Sequence, residues 1–284
     1  MGNDGVHEVI GGIGHWITRR TFYSAEHIAI VDGERRFSYA ELDRRTDQLA
    51  SALRDRGVRQ GDRVATLQYN SAEFLELLFA TAKLGAIFLP MNYRLAAPEI
   101  TYLLADSGAD VFVWSEALSQ LARNALLGED VRVRLRVTVG GNACDDEEDY
   151  ETLLESAEPR PLGMRVPGSD VAMLMYTSGT TGRPKGVMLT HENLLWSAIN
   201  YLSAGLPIRA SDRTVAVAPM FHIGALGLQV LPLLYVGGTV VVLPSFDAVQ
   251  TLAAMANERV TVQFLVPSMW SALMTVPDFE GYDL

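Results

Sequence analysis

From Phe37 onward the apolar positions recur in two alternating rhythms, and each switch between them marks a new element. Leu42, Thr46, Leu49 and Leu53 repeat at helical spacing. Ser38-Tyr39-Ala40-Glu41 just before them reads as a capping box, in which a hydroxyl satisfies a free N–H of the first turn. Gly57 stops that helix. Arg63 to Gln68 reads as a strand, and Ser71 to Leu84 as a second helix with Asn70 or Ser71 as cap and Gly85 as stop. Ala86 to Leu89 is the next strand. Pro98 opens a third helix, because proline fits a first turn, and Gly108 closes it before a strand at Val111 to Trp114.

Residues 126–166 are polar, acidic and proline-containing, and predict a peripheral excursion or connection. Order resumes at Val171 to Tyr176, a continuous apolar run of the kind a buried strand shows. A short strand at Val187 to Thr190 follows, then a helix from about His191 to Leu202 with Thr190 as cap. Beyond it come a strand at Val215 to Ala218, a helix through Gly224 to Tyr235 and a strand at Thr239 to Leu243. Asp247 to about Glu258 reads as a helix and Val262 to Val266 as a strand, and Pro267 with Ser268 starts a last helix. The β-α-β rhythm implies an α/β fold of parallel or mixed sheets covered by helices.

The stretch Thr214 to Pro244 is apolar enough to raise a membrane span. Pro219, His222, Gln229, Pro232 and the Gly237-Gly238 pair interrupt it, and a bilayer asks for roughly 20 unbroken apolar residues. It reads as buried core, so no transmembrane segment is expected. Met1 to Glu8 carries Asp4 and Glu8 and lacks the basic start and apolar centre of a signal peptide.

The 284 residues are 49% hydrophobic and 20% charged, an ordinary globular composition. A net charge of −11 argues against nucleic acid and anionic membranes as partners. Cys144 is the single cysteine, so no internal disulfide forms, and no Cys/His set has zinc spacing. A reducing cytoplasm is the simplest location. The run Asp145, Asp146, Glu147, Glu148, Asp149 could hold a metal or a basic partner, but like charges repel and seek water, which favours a solvated loop.

One segment is built differently: Tyr176-Thr177-Ser178-Gly179-Thr180-Thr181-Gly182-Arg183-Pro184-Lys185-Gly186. Its glycines let backbone N–H groups approach a ligand, its hydroxyls add donors, and its lysine adds a flexible point charge. Each part suits a triphosphate. A P-loop of the G-x-x-x-x-G-K-[ST] type is excluded, since Pro184 falls inside the run and Gly186 follows Lys185.

The run resembles the phosphate-binding signature of the adenylate-forming superfamily, which includes acyl-CoA synthetases, luciferases and peptide-synthetase adenylation domains. Lys83-Leu84-Gly85-Ala86 with Pro90-Met91-Asn92-Tyr93-Arg94-Leu95 is similar to an earlier region of that family, and Pro219-Met220-Phe221-His222 to its substrate-side motif. The resemblance extends from about Phe37 to Leu284. It implies an acyl-CoA synthetase-like N-terminal domain with two interleaved helix-covered sheet lobes, 1–55 with 212–284 and 56–211, incomplete at the C-terminus. It also implies a two-step reaction: a carboxylic acid attacks the α-phosphate of ATP to give acyl-AMP, and coenzyme A then displaces AMP.

By the same resemblance Thr177, Ser178, Gly179, Thr180, Thr181 and Gly182 hold phosphates, Lys185 contributes charge, and Thr177 is one Mg²⁺ contact. His222 sits at the reacting carboxylate, with Phe221 at the pocket entrance. Ala225, Leu226 and Leu228 line an acyl pocket or belong to a helix core; periodicity leaves both open. Nothing here resembles the family's Tyr-Gly-x-Thr-Glu motif, its ribose-binding aspartate motif or its late catalytic lysine, so the expectation is a fragment inactive alone. A medium- or long-chain fatty acid is the leading substrate expectation and a coumarate-type aryl acid the second. A peptide-synthetase adenylation domain and a non-catalytic nucleotide-binding or interaction protein complete the alternatives. An unfinished lobe would expose apolar surface suited to a homodimer.

Overall fold

The structure is a computed structural model that describes residues 12–177, 183–204 and 208–284. The first elements are α1 (His15–Ser24), β1 (Ile28–Asp32), β2 (Arg35–Ser38), α2 (Tyr39–Asp55), β3 (Arg63–Leu67), α3 (Ala72–Leu84) and β4 (Ile87–Pro90). Then come α4 (Ala97–Ser107), β5 (Val111–Ser115), α5 (Ser119–Ala125), β6 (Leu135–Val139), β7 (Glu148–Asp149) and α6 (Tyr150–Glu155). The chain continues through β8 (Val171–Thr177), β9 (Lys185–Thr190), α7 (His191–Ser203), β10 (Arg213–Ala216), α8 (Ile223–Ala225) and α9 (Leu231–Val236). It closes with β11 (Thr239–Val242), α10 (Ala248–Asn257) and α11 (Pro267–Met274).

The strands form a four-stranded sheet, β10-β11-β1-β2, and a seven-stranded sheet, β7-β6-β5-β3-β4-β8-β9. Every pair is parallel except β1–β2 and β8–β9. Side chains alternate along each strand and sort into three cores. Val64, Val111, Val113 and Val137 of the long sheet face the same core as Ile30, Val240 and Val242 of the short one. Helices α1, α2, α3, α7 and α9 contribute to that shared core and so lie between the two sheets. Ala65, Phe112 and Trp114 turn the other way, toward α4 and α5. Val31, Val215 and Val241 turn toward α10 and α11. The result is helix, sheet, helix, sheet, helix, each sheet covered on both faces, as parallel strands require.

Local signals account for most element ends. Ser38, Ser71 and Thr190 each accept an N–H of the following turn, and Gly85 and Gly108 close α3 and α4 with φ of 71° and 61°. Ser71, not Asn70, is the cap of α3. The run Thr214 to Pro244 is core, spread over β10, a π-helical turn at Leu226–Val230, α9 and β11. Among the described residues no helix is long and apolar enough to cross a membrane.

Two expectations are corrected. Residues 126–166 are not peripheral: β6 and β7 extend the long sheet, and α6 packs on α2 through buried Tyr150, Leu153 and Leu154. Val262 to Val266 is not a strand. It runs beside β10, but the Gln263 side chain takes the ladder's place, accepting from Val215 N–H at 3.0 Å and donating to Val215 O at 2.9 Å.

The acidic run is an ion-pairing edge rather than a merely solvated loop. Asp146 pairs with Arg136, Glu148 with Arg56, and Asp149 caps α6. Glu147 accepts from Arg123 at 2.8 and 2.9 Å, and also from Thr138 and the Cys144 N–H. The Arg123 bond foremost holds the Glu147 carboxyl down to about 2. A depressed carboxyl stabilises the fold above its unfolded value, near 4.3, and loses that contribution as pH falls toward 2. Glu147→Gln is therefore expected to lower the urea midpoint at pH 7, with the gap to the parent closing between pH 4.5 and about 2.

Candidate functional site

The loops that follow β3, β4, β8 and β10 all leave the carboxyl ends of their strands, where open α/β sheets bind ligands. On one side stands the β8–β9 hairpin. Thr177 and Lys185 face each other in register at its open end, both exposed. The Tyr176 hydroxyl donates to Asp106 Oδ2 at 2.6 Å, tying the hairpin to α4. Burial, with that carboxylate, pushes the Tyr176 phenol up, so it stays a donor. Tyr102 of α4 lies 3.3 Å from Pro184 O, and the Arg183 guanidinium sits over its ring at 5.9 Å. Gly186 is opposite Tyr176, where a Cβ would come within 2.9 Å of Leu174 Cδ1. The hairpin is thus held on both arms, with Thr177 and Lys185 left for a ligand. Ser178, Gly179, Thr180, Thr181 and Gly182 lie outside the described residues.

On the other side runs the segment after β10. Phe221 meets Tyr93 edge-on at 5.2 Å, and Tyr93 packs on Tyr69 at 4.6 Å. Tyr93 follows β4, whose sheet neighbour is β8. Phe221 and Thr177 therefore flank the end of the same strand. His222 is exposed and caps α8: its Nδ1 accepts the Gly224 N–H at 3.1 Å. That bond assigns the hydrogen of the neutral ring to Nε2, so His222 offers a ligand an N–H donor rather than a base. Ala225 and Leu226 are buried in the core, whereas Leu228 is exposed.

The residue that joins the two sides is Asn70. It is 3% exposed, and its Nδ2 reaches Ala218 O at 3.0 Å, Leu243 O at 3.2 Å and Ala216 O at 3.3 Å. Its Oδ1 accepts the Met220 N–H at 2.9 Å. One side chain from the connection between β3 and α3 thereby fixes the ends of β10 and β11 and the backbone two residues before His222.

The AMP-binding enzyme family matches residues 19–284. The chain belongs to that family. It is 42% identical over 277 residues to a feruloyl-CoA synthase of an Amycolatopsis species, covering 96% of this chain and 52% of that protein. It is 34% identical over 248 residues to the long-chain-fatty-acid–CoA ligase FadD13 of Mycobacterium tuberculosis, covering 87% of this chain and 48% of the relative. The crystal structure of the anthranilate CoA ligase AuaEII with anthranoyl-AMP superposes with a TM-score of 0.92 at 25% identity, over 100% of this chain and 55% of that one. The chain thus spans about half the length of the curated relatives it matches, and the α/β fold is that of the N-terminal domain of acyl- and aryl-CoA ligases.

A cavity of about 790 Å³ beside α1 and α7 is not lined by Thr177, Lys185, Phe221 or His222. Among the described residues no group of three or more His, Cys, Asp or Glu side chains could hold a metal. Thr177 offers one exposed hydroxyl, which fits a contact to an ion carried by substrate phosphates rather than a protein cage. Asn70 and Tyr93 are the residues that sequence reading passed over for the site. Asn70 looks like a helix cap beside Ser71, and Tyr93 like one member of a family motif.

Proposed function

We propose that this chain carries the nucleotide- and acid-binding part of an AMP-forming acid–CoA ligase whose acid is aromatic. The observation that carries the proposal is the convergence of the Thr177–Lys185 hairpin and the Phe221–His222 segment on the end of β4. Thr177 and the Ser178 to Gly182 run would hold the β- and γ-phosphates of ATP, and Lys185 would offset their charge. Mg²⁺ bound to those phosphates, with Thr177 as one contact, would neutralise the departing pyrophosphate.

A carboxylate oxygen of the acid then bonds to the α-phosphorus as the bond to the bridging oxygen breaks, giving acyl-AMP and pyrophosphate. In the second step the thiol of coenzyme A adds to the acyl carbon, loses its proton to solvent and expels AMP. Both steps place new negative charge on oxygen, and a fixed N–H donor such as His222 Nε2 stabilises such charge. An aromatic acid is favoured over a fatty acid on two grounds. The Tyr69–Tyr93–Phe221 stack offers edges and faces to a ring, and identity is 42% to a feruloyl-CoA synthase against 34% to a long-chain ligase.

The test is pyrophosphate release by the protein that carries this chain, with ferulate or palmitate in parallel. Release at least about tenfold faster with ferulate is expected; a preference for palmitate would restore the fatty-acid reading. Lys185→Ala should raise KM for ATP while leaving the unfolding midpoint within about 0.5 kcal/mol of the parent, because an exposed hairpin lysine contributes little to folding. Unchanged ATP kinetics would remove Lys185 from the site.

A further inference from the structure

A cavity lies away from the residues just described. Between α1, residues 165–169 and the first turns of α7 is a cavity of about 790 Å³, within the roughly 300–1,000 Å³ common for small-molecule sites. His191 is one of its walls and is only 2% exposed. Its Nδ1 accepts the Ile13 N–H at 3.1 Å, which puts the hydrogen of the neutral ring on Nε2. Burial holds the ring down to about 4, so it is neutral at pH 7. The Nε2–H is buried and meets no acceptor among the described residues.

A second imidazole atom on the same cavity, His15 Nδ1, is buried and unpartnered as well. Leaving a buried donor unsatisfied costs roughly 1–3 kcal/mol, and two such atoms on one cavity mark a place where a ligand's polar atoms belong. The remaining walls define the rest of that ligand. Trp196 is 54% and Phe22 81% exposed, unusual for large apolar side chains unless something covers them. Trp16 and Tyr235, packed edge-on at 4.9 Å, complete an aromatic lining. Arg19, exposed on α1, has no ion-pair partner among the described residues.

We propose that this cavity is a second small-molecule site, distinct from the His222 edge, for an aromatic body carrying an oxyanion head that accepts from His191 Nε2–H. The proposal does not depend on the reaction assigned above. Its test uses the whole chain and 8-anilinonaphthalene-1-sulfonate as probe, an aromatic body with a sulfonate head. One saturable site is expected by fluorescence. His191→Asn keeps an acceptor for the Ile13 N–H but reaches no donor to the Nε2 position, and should weaken binding by about tenfold, the equivalent of one lost buried hydrogen bond. Trp196→Ala, a change at an exposed position that leaves folding intact, should weaken it by a similar factor.

Displacement of the probe by ferulate would mark the site as one for the reaction's own acid. A probe that ferulate leaves in place would mark it as one for a different aromatic anion; both outcomes support a second site. Binding unchanged in both variants, or no saturable binding, overturns the proposal, the orphan nitrogens then being water-bonded. Binding seen only after residues 1–11 are removed also overturns it, because the cavity would not be open to a free ligand in the protein.

Discussion

Asn70→Ala is expected to destabilise the fold by about 3–5 kcal/mol. The side chain is buried and serves four backbone groups: the carbonyls of Ala216, Ala218 and Leu243 and the N–H of Met220. Ala216 O keeps the Leu243 N–H at 3.1 Å, but the Met220 N–H and the carbonyls of Ala218 and Leu243 lose the Asn70 side chain in a place where water enters poorly, at roughly 1–3 kcal/mol for a group left unsatisfied. Asn70→Asp is the informative companion. Its carboxylate still accepts from Met220 but sets negative charge against three carbonyl oxygens, so at pH 7 it should be at least as damaging as alanine. Its deficit should shrink as pH falls and the carboxyl becomes a donor. Urea unfolding with an unchanged m-value measures both. A loss below about 1 kcal/mol for the alanine variant would mean that the sheets hold their relative placement without this pin.

The second large effect is on chemistry. His222→Asn is expected to lower the rate of acyl-AMP formation by about 10²- to 10³-fold, the usual cost of losing one donor to developing oxyanion charge. Asparagine places an acceptor where Nδ1 stands, so the cap to the Gly224 N–H survives and α8 still starts at the same residue. The Nε2 donor is what disappears. His222→Gln reverses the trade: it reaches the Nε2 position with an amide N–H and gives up the cap. Partial recovery of kcat in the glutamine variant, with KM for ATP near the parent value, separates a donor role from a capping role. Equal losses in the two variants would instead assign the effect to the cap.

These two residues also show where reading from sequence stops. His222 was expected at the site because Pro219-Met220-Phe221-His222 resembles a family motif, and the structure adds what the motif omits: the Gly224 N–H that selects its tautomer. Asn70 carried no such signal. Its neighbour Ser71 explains the helix start, and nothing local announces that the amide reaches chain 146 to 173 residues away. Val262 to Val266 was misread for a related reason. Its apolar pattern fits a strand, yet a strand exists only when backbone finds backbone, and Gln263 bonds to Val215 through its side chain instead. The stretch 126–166 erred in the opposite direction, because β6 and β7 earn their place by pairing beside β5 rather than by a long apolar run.

The sequence by itself determined what depends on neighbours within a turn or two: the α/β alternation, the caps at Ser38, Ser71 and Thr190, and the glycine stops. Such features rest on hydrogen bonds and dihedral preferences that span at most four residues, so their signals survive in the one-dimensional pattern. Tertiary structure alone decided which strand ends share an edge, which asparagine joins the two sheets, which nitrogen of His222 carries the hydrogen, and that His191 keeps a buried donor beside a cavity. Each of those is a contact between residues distant in the chain or a choice made by one such contact. Burial there raises the stakes of every polar group, while sequence spacing says nothing about who its partner will be.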